Sequence, residues 1–339
     1  MNVAKTPHRQ RAVRRKIIGA TSLLSIAACS GGALDAGRDQ LHGALPVDER
    51  NAVIVENDGG HDNWQGEFAI AFSAVGRLTL AGFIVNTSAL WPDITANLND
   101  WNGLVDAARA VGVSAPSPIS SLAPPLQAPR SGIVDDTVPN RSSGAQFIVA
   151  TAHRLGHSYR PLVVATGGQL TDVADAYLID HSMAELVVVV SSLGATNGTT
   201  ATMGPPNGDL DPWANAIVAA RYRYIQVNAY YDQTQDIPDS RVAQLPNDSF
   251  GQWTARKRSM LLPGLTPCDQ ISVIAAVLPT FAQGVTRMTR SGTAPIVGGK
   301  MAGGTVPSLS SDATGNAWVV SSGDSASATN AFWQALTSL

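Results

Sequence analysis

The sequence predicts an α/β fold, a mainly parallel central sheet with helices on both faces. Two observations carry this. AVIVE at 52–56 is continuously apolar rather than alternating, and ELVVVVSS at 185–192 is almost wholly aliphatic, as strands covered on both faces are. They alternate along the chain with stretches whose apolar residues recur at helical spacing, the pattern of crossover connections between parallel strands. The chain has 339 residues, 44% of them hydrophobic and only 14% charged. That length holds one large α/β domain or two small ones, with a surface made more of Ser, Thr, Asn and Gly than of charge.

The elements follow in order. AVIVE (52–56) is the first strand and GEFAIAFSAVG (66–76) the helix behind it. LTLAGFIVN (78–86) is the second strand. In NDWNGLVDAARA (99–110), Trp101, Leu104, Val105 and Ala108 share one helix face. Residues 113–142 are rich in Pro and Ser and read as an irregular excursion, either a lid or a surface insertion. A helix at 144–156, a strand at 161–168 ending in glycines, a helix at 170–180 and a strand at 185–192 come next. A helix at 211–221 and a strand at 223–230 complete the alternation. From 284 to 325 the chain is rich in Gly, Ser and Thr and reads as a small β excursion before a closing helix at 326–338. Parallel sheets bind ligands at the carboxyl ends of their strands.

The N-terminus reads as an export signal. Arg14, Arg15 and Lys16 precede a short apolar run, Ile17 to Ala28, too short for a comfortable membrane span. Ile26-Ala27-Ala28-Cys29 resembles the bacterial lipoprotein processing box, so residues 1–28 are expected to be removed and Cys29 lipidated. An ordinary signal peptide is the alternative. Arg14-Arg15 also fits a twin-arginine pattern, which leaves the export route open. Residues 29–50 read as a tether and 51–339 as the folded domain. The expected location is the outer membrane facing the periplasm, through the lipid anchor, or the periplasm itself. The formal net charge is -3, and basic residues are sparse beyond the N-terminus, which argues against a nucleic-acid partner. With two cysteines, Cys29 and Cys268, neither a disulfide framework nor a cysteine metal site is expected.

Chemistry concentrates where the first strand stops. Glu56, Asn57 and Asp58 precede Gly59-Gly60, and Asp62 and Asn63 follow them. Oxygen ligands of this kind suit calcium or magnesium, and the glycines let both arms of the loop converge. The same residues also suit a turn and a helix cap, so both readings stand. Trp64, Trp91, Tyr230 and Tyr231 sit near strand ends, either as stacking surfaces for an aromatic ligand or as packing. Asn228 ends its strand and is a candidate ligand contact. His153 and His157, four apart, read as surface or helix-end residues.

The run Glu56-Asn57-Asp58-Gly59-Gly60-His61-Asp62-Asn63 resembles the signature loop of the nucleoside hydrolase family of inosine-uridine type, Asp-x-Asp-Pro-Gly-x-Asp-Asp. Three further pieces fall in the family's order. Gly168-Gln169-Leu170-Thr171-Asp172 is similar to its Gly-Pro-Leu-Thr-Asn turn. Asn207, ahead of Asp211-Pro212, is similar to its Glu-Phe-Asn segment. Cys268-Asp269 is similar to a late His-Asp pair that leads into a helix. The likeness spans about residues 50–339. It implies a nucleoside hydrolase-like fold and a calcium-dependent hydrolase of the N-glycosidic bond of ribonucleosides. It implies that Asp58 touches the metal and acts as general base on the attacking water, and that Asp62 holds the ribose hydroxyls. It further implies that Asn63, the Thr171 carbonyl and Asp269 are metal ligands, that Asp269 and Asn207 also hold the sugar, and that Cys268 stands at the leaving-group position.

The chain departs from that pattern. Asn63 replaces a carboxylate and offers one carbonyl oxygen, so calcium is expected to bind more weakly than is usual for the family. Pro205 and Pro206 replace Glu and Phe, which removes a contact to the ribose 5′-hydroxyl. Two functions follow: a riboside hydrolase, favoured by Asp58, Asp62, Asn207 and Asp269, or a non-catalytic nucleoside or sugar binding lipoprotein, favoured by Asn63 and the proline pair. A hydrolase of another glycosidic substrate is a third. Base specificity and oligomeric state are not legible.

Overall fold

The computed structural model describes residues 45–59, 64–89, 91–192, 207–228, 239–260, 269–290, 296–297, 300–301 and 309–339. The elements run β1 (Ala52–Asn57), α1 (Gln65–Ala74), β2 (Thr79–Val85), α2 (Ile94–Ala110), β3 (Pro118–Ser120), α3 (Ser143–Leu155), β4 (Leu162–Thr166), α4 (Thr171–Ile179), α5 (Met183–Leu186) and β5 (Val187–Ser192). They continue with α6 (Asn207–Leu210), α7 (Pro212–Arg221), β6 (Arg223–Val227), α8 (Asp239–Val242), α9 (Ser249–Met260), α10 (Gln270–Val277), β7 (Ala282–Arg290), β8 (Ile296–Val297), β9 (Lys300–Met301), β10 (Leu309–Ser311), β11 (Ala317–Gly323) and α11 (Ser325–Leu336).

Nine strands form one sheet in the order β10-β7-β11-β6-β5-β4-β1-β2-β3. From β11 to β3 every pairing is parallel, while β7 runs antiparallel to both β11 and β10. The expected C-terminal β excursion is present, and three of its strands lengthen the central sheet; β8 and β9 pair separately. The closing helix is α11. The Pro-rich excursion supplies the edge strand β3 and one 3₁₀ turn at Val134–Asp136.

The sequence explains the central elements directly. Val187 to Val190 are fully buried, and fully burying such a side chain stabilises by about 1.5–3 kcal/mol. Helix starts are set by local acceptors. Asp93 accepts from the Thr95 and Ala96 amides, Ser142 from Ala145, and Asp211 from Ala214 with Pro212 in the first turn. One face of the sheet packs α1, α2, α9, α10 and α11 around Phe68, Trp101, Phe250, Ile271 and Phe332. The other packs α3, α4 and α7 around Ile148, Val173 and Ile217. Helix α9 has no counterpart in the sequence reading. Leu45 and Val47, in the segment read as a tether, are buried against the core. Residues 1–44, which hold the segment read as an export signal and Cys29, lie outside the described residues. Among the described residues no helix is long and apolar enough to cross a membrane.

The strand order places a topological switch point between β1 and β4. From β1 the chain moves outward to β2 and β3; from β4 it moves the opposite way to β5 and β6. Loops at the carboxyl ends of β1 and β4 therefore diverge and leave a crevice between them. Asp58 follows β1, and Gly167-Gly168 follow β4.

Candidate functional site at the switch point

The crevice is built from three distant parts of the chain. Asp58, 4% exposed, lies against Gly168, where an added Cβ would stand 3.0 Å from the Asp58 Cβ. Asp269, 3% exposed and just ahead of α10, lies across Gly167, where an added Cβ would stand 2.6 Å from the Asp269 Cβ. The glycine pair thus lets two carboxylates approach the end of β4 from either side. Any side chain there would fill the space they use.

Amides hold Asp269. Asn57 Nδ2 donates to its Oδ2 at 3.0 Å, and Asn207 Nδ2 donates to its Oδ1 at 3.3 Å and to the Ser192 carbonyl at 2.9 Å. Gln65, at the start of α1, accepts from Asn57 at 3.0 Å and donates to Ser272 Oγ at 2.8 Å; Ser272 Oγ donates to the Asp269 carbonyl. On the other arm, Asn97 Nδ2 donates to the carbonyls of Asp58, Asn86 and Trp91. It fixes the loop after β2 against the end of β1. The Trp91 indole packs on Gly59, with Cγ 2.8 Å from where a Cβ would stand.

Of the residues expected from sequence, the structure brings Asp58, Asn207 and Asp269 into one place. Asp62, Asn63 and Cys268 lie outside the described residues, as do Tyr230, Tyr231 and Pro205-Pro206. Thr171 opens α4, fully buried, and its hydroxyl donates to Asp211 at 2.7 Å. Asn228 follows β6; its side-chain oxygen accepts from Gln226 at 2.9 Å and its amide N–H bonds Val320. Trp64 is fully buried, which is packing rather than a ligand surface; Trp91 is half-buried. His153 pairs with Asp180 at 2.7 Å at the surface, as expected of a helix end.

Glu56 is separated from this set. Consecutive strand residues point to opposite faces, so Glu56 faces away from Asn57. Fully buried, it accepts from Asn86 Nδ2 at 2.9 Å and meets Asp172 of α4. Burial first, and then the neighbouring Asp172, push the Glu56 carboxyl well above the usual range. Burial also raises Asp172, although the hydroxyls of Ser142 and Ser121 donate to it at 2.5 and 2.8 Å. A proton on Glu56 satisfies the two facing carboxyl oxygens that otherwise have no donor, Glu56 Oε2 and Asp172 Oδ2.

Sequence reasoning gave no role to Gln65, Asn97 or Ser272. Asn57 was visible inside the acid-rich stretch. The glutamine and the serine carry no sequence signal, because the contact between them spans 207 residues and Gln65 also reaches Ala165, 100 residues away.

The described oxygen donors fit part of a shell for a hard cation: two buried carboxylates beside backbone carbonyls, with no sulfur or imidazole. Among the described residues no group of three or more acidic, His or Cys side chains is assembled.

No protein-family profile and no curated protein sequence matches the chain. Solved structures do. The inosine-uridine preferring nucleoside hydrolase of Bacillus anthracis is 13% identical with a TM-score of 0.60, over 85% of this chain and 100% of that one. The plant nucleoside hydrolase PpNRh1 is 13% identical with a TM-score of 0.59, over 85% and 99%. The type III effector XopQ, solved with adenosine diphosphate ribose, is 12% identical with a TM-score of 0.52, over 89% and 97%. With TM-scores up to 0.60 and near-complete coverage of the solved chains, this chain has the fold of the nucleoside hydrolases.

Proposed function

We propose that the protein hydrolyses the N-glycosidic bond of a ribonucleoside or related riboside. The observation that carries the reading is the convergence of Asp58, Asn207 and Asp269 at the switch point of this fold. These are the residues that the sequence motifs single out, and they reach the crevice from three separate segments. Calcium, when bound, would supply a Lewis acid that lowers the pKa of the attacking water. Asp58 would take the proton from that water. Asp62, Asn207 and Asp269 would hold the ribose hydroxyls, with Asn228 at the margin. The buried carboxylates of Asp58 and Asp269 would favour the positive charge that develops on the ribose as the bond to the base breaks. Cys268 would stand beside the leaving base.

Asp58, Asp269, the Thr171 carbonyl and Asn63 would hold the cation. With Asn63 in place of a carboxylate, calcium should bind weakly, and calorimetry should show Asn63→Asp tightening it about tenfold. The test of activity is release of reducing sugar from a panel of purine and pyrimidine nucleosides with calcium added. Silence from both wild type and Asn63→Asp, with ribose still bound, would favour the second reading, a non-catalytic nucleoside or sugar binding protein. Asn63 itself and the Pro205-Pro206 pair support that reading, and XopQ was solved with a ribose-containing ligand.

The protein would work outside the cytoplasm, lipid-anchored through Cys29 and facing the periplasm. Cys29→Ala should release it from the membrane fraction; retention and normal processing of that variant would remove the anchor.

A further inference from the structure

We propose that Asn57 is the positioning residue of this site, coupling the acid-rich loop to Asp269. The inference rests on the riboside reading but adds a residue to which the family motif gives no role. Asn57 acts with both ends of its carboxamide. Its Oδ1 accepts the Gly59 N–H at 2.7 Å and so bends the chain just past β1, which sets the path on which Asp58 lies. Its Nδ2 donates to Asp269 Oδ2 and to Gln65 Oε1, each at 3.0 Å. The amide cannot be turned round, because Gly59 needs an acceptor and Asp269 a donor. Gln65 is oriented in turn, since its own Nε2 donates to Ser272 and to the Ala165 carbonyl.

Asp269 sits 212 residues from Asn57 in sequence, and its side chain caps no amide of α10. Asn57 donates to one oxygen of its carboxylate and Asn207 to the other. Each carboxylate oxygen has room for a second partner. The amide also brings no charge of its own, so it orients the carboxylate without neutralising it. Gly167 clears the path: a Cβ there would stand 2.4 Å from Asn57 Nδ2 and 2.6 Å from the Asp269 Cβ, driving the two apart.

The test uses two substitutions that break one contact from different sides, Asn57→Ala and Gly167→Ala, with ribose binding by calorimetry as the readout. Each should weaken ribose about tenfold, the usual effect of losing a hydrogen bond to a charged group. The double variant should be no worse than either single one, because both remove the same contact. A merely structural role would lower the melting temperature and leave ribose affinity where it was. Unchanged affinity in Asn57→Ala, or losses that multiply in the double variant, would overturn the inference while wild-type ribose binding upholds the sugar site. Wild type that binds no ribose would sink both. If Asn57→Ala fails to fold, Asn57→Ser, which keeps the acceptor for Gly59 but is too short to reach Asp269, decides the point by the same measurement.

Discussion

Glu56 and Asn57 are neighbours on β1, yet they end in opposite surroundings. On the Asn57 side the carboxylates Asp58 and Asp269 stand at the mouth of the crevice, beside bare glycines and held by amides. On the Glu56 side the carboxyls of Glu56 and Asp172 are sealed beneath α3 and α4, with serine hydroxyls and each other for company. The sequence lists these acids together; the pleat of the strand divides them. An acid earns a place in chemistry only where a ligand can reach it, and a buried acid without a cation keeps its proton instead.

The largest effect that separates the two sides is on turnover. If the riboside reading holds, Asp58→Ala should lower the rate of sugar release about a thousandfold, the scale of a lost general base, with little change in melting temperature. Glu56→Gln should leave the rate within about threefold, because the amide repeats the hydrogen bonds of a protonated carboxyl. A collapse of activity in Glu56→Gln would erase the distinction between the two sides.

Stability should respond in the reverse order. Glu56→Ala strips Asn86 and Asp172 of a buried partner and leaves a cavity, so urea unfolding should show a loss of about 3 kcal/mol. Ser142→Ala removes the cap on α3 and a hydroxyl shared between Asp172 and Asp175, for about 1–2 kcal/mol.

The smallest effect sharpens the comparison by pH. The unfolded chain ionises Glu56 near the ordinary value of about 4.3, while the folded chain keeps the proton to higher pH. The folded state then binds more protons, so this group's contribution is full below about pH 4.3 and falls as pH rises towards its raised value. Glu56→Gln should flatten that decline in a series of unfolding curves from pH 4 to 8. Equal slopes for the two proteins would mean that Glu56 is ionised in the fold.

Much of the architecture was legible because it is local. Strands such as β4 and β5 are written in unbroken aliphatic runs, and helices such as α3 and α7 in their period and in the caps Ser142 and Asp211. Helix α9 was missed because SFGQWTARKRSM has no clear apolar face and little hydrophobicity. Strand β3 was missed because three residues inside a proline-rich stretch carry no period at all.

The site was half legible for the same reason. Asp58, Asn207 and Asp269 announce themselves by residue type and order. By itself the sequence determined which acids and amides the chain owns, and that a parallel sheet would present strand ends to them. Only the tertiary structure decided that Asp269 crosses Gly167 to meet Asn57, and that Glu56 is turned away to face Asp172. Those outcomes depend on which strands are neighbours and on the alternation of faces along β1. Contacts between residues hundreds of positions apart are fixed by packing, and packing leaves no local mark on the chain.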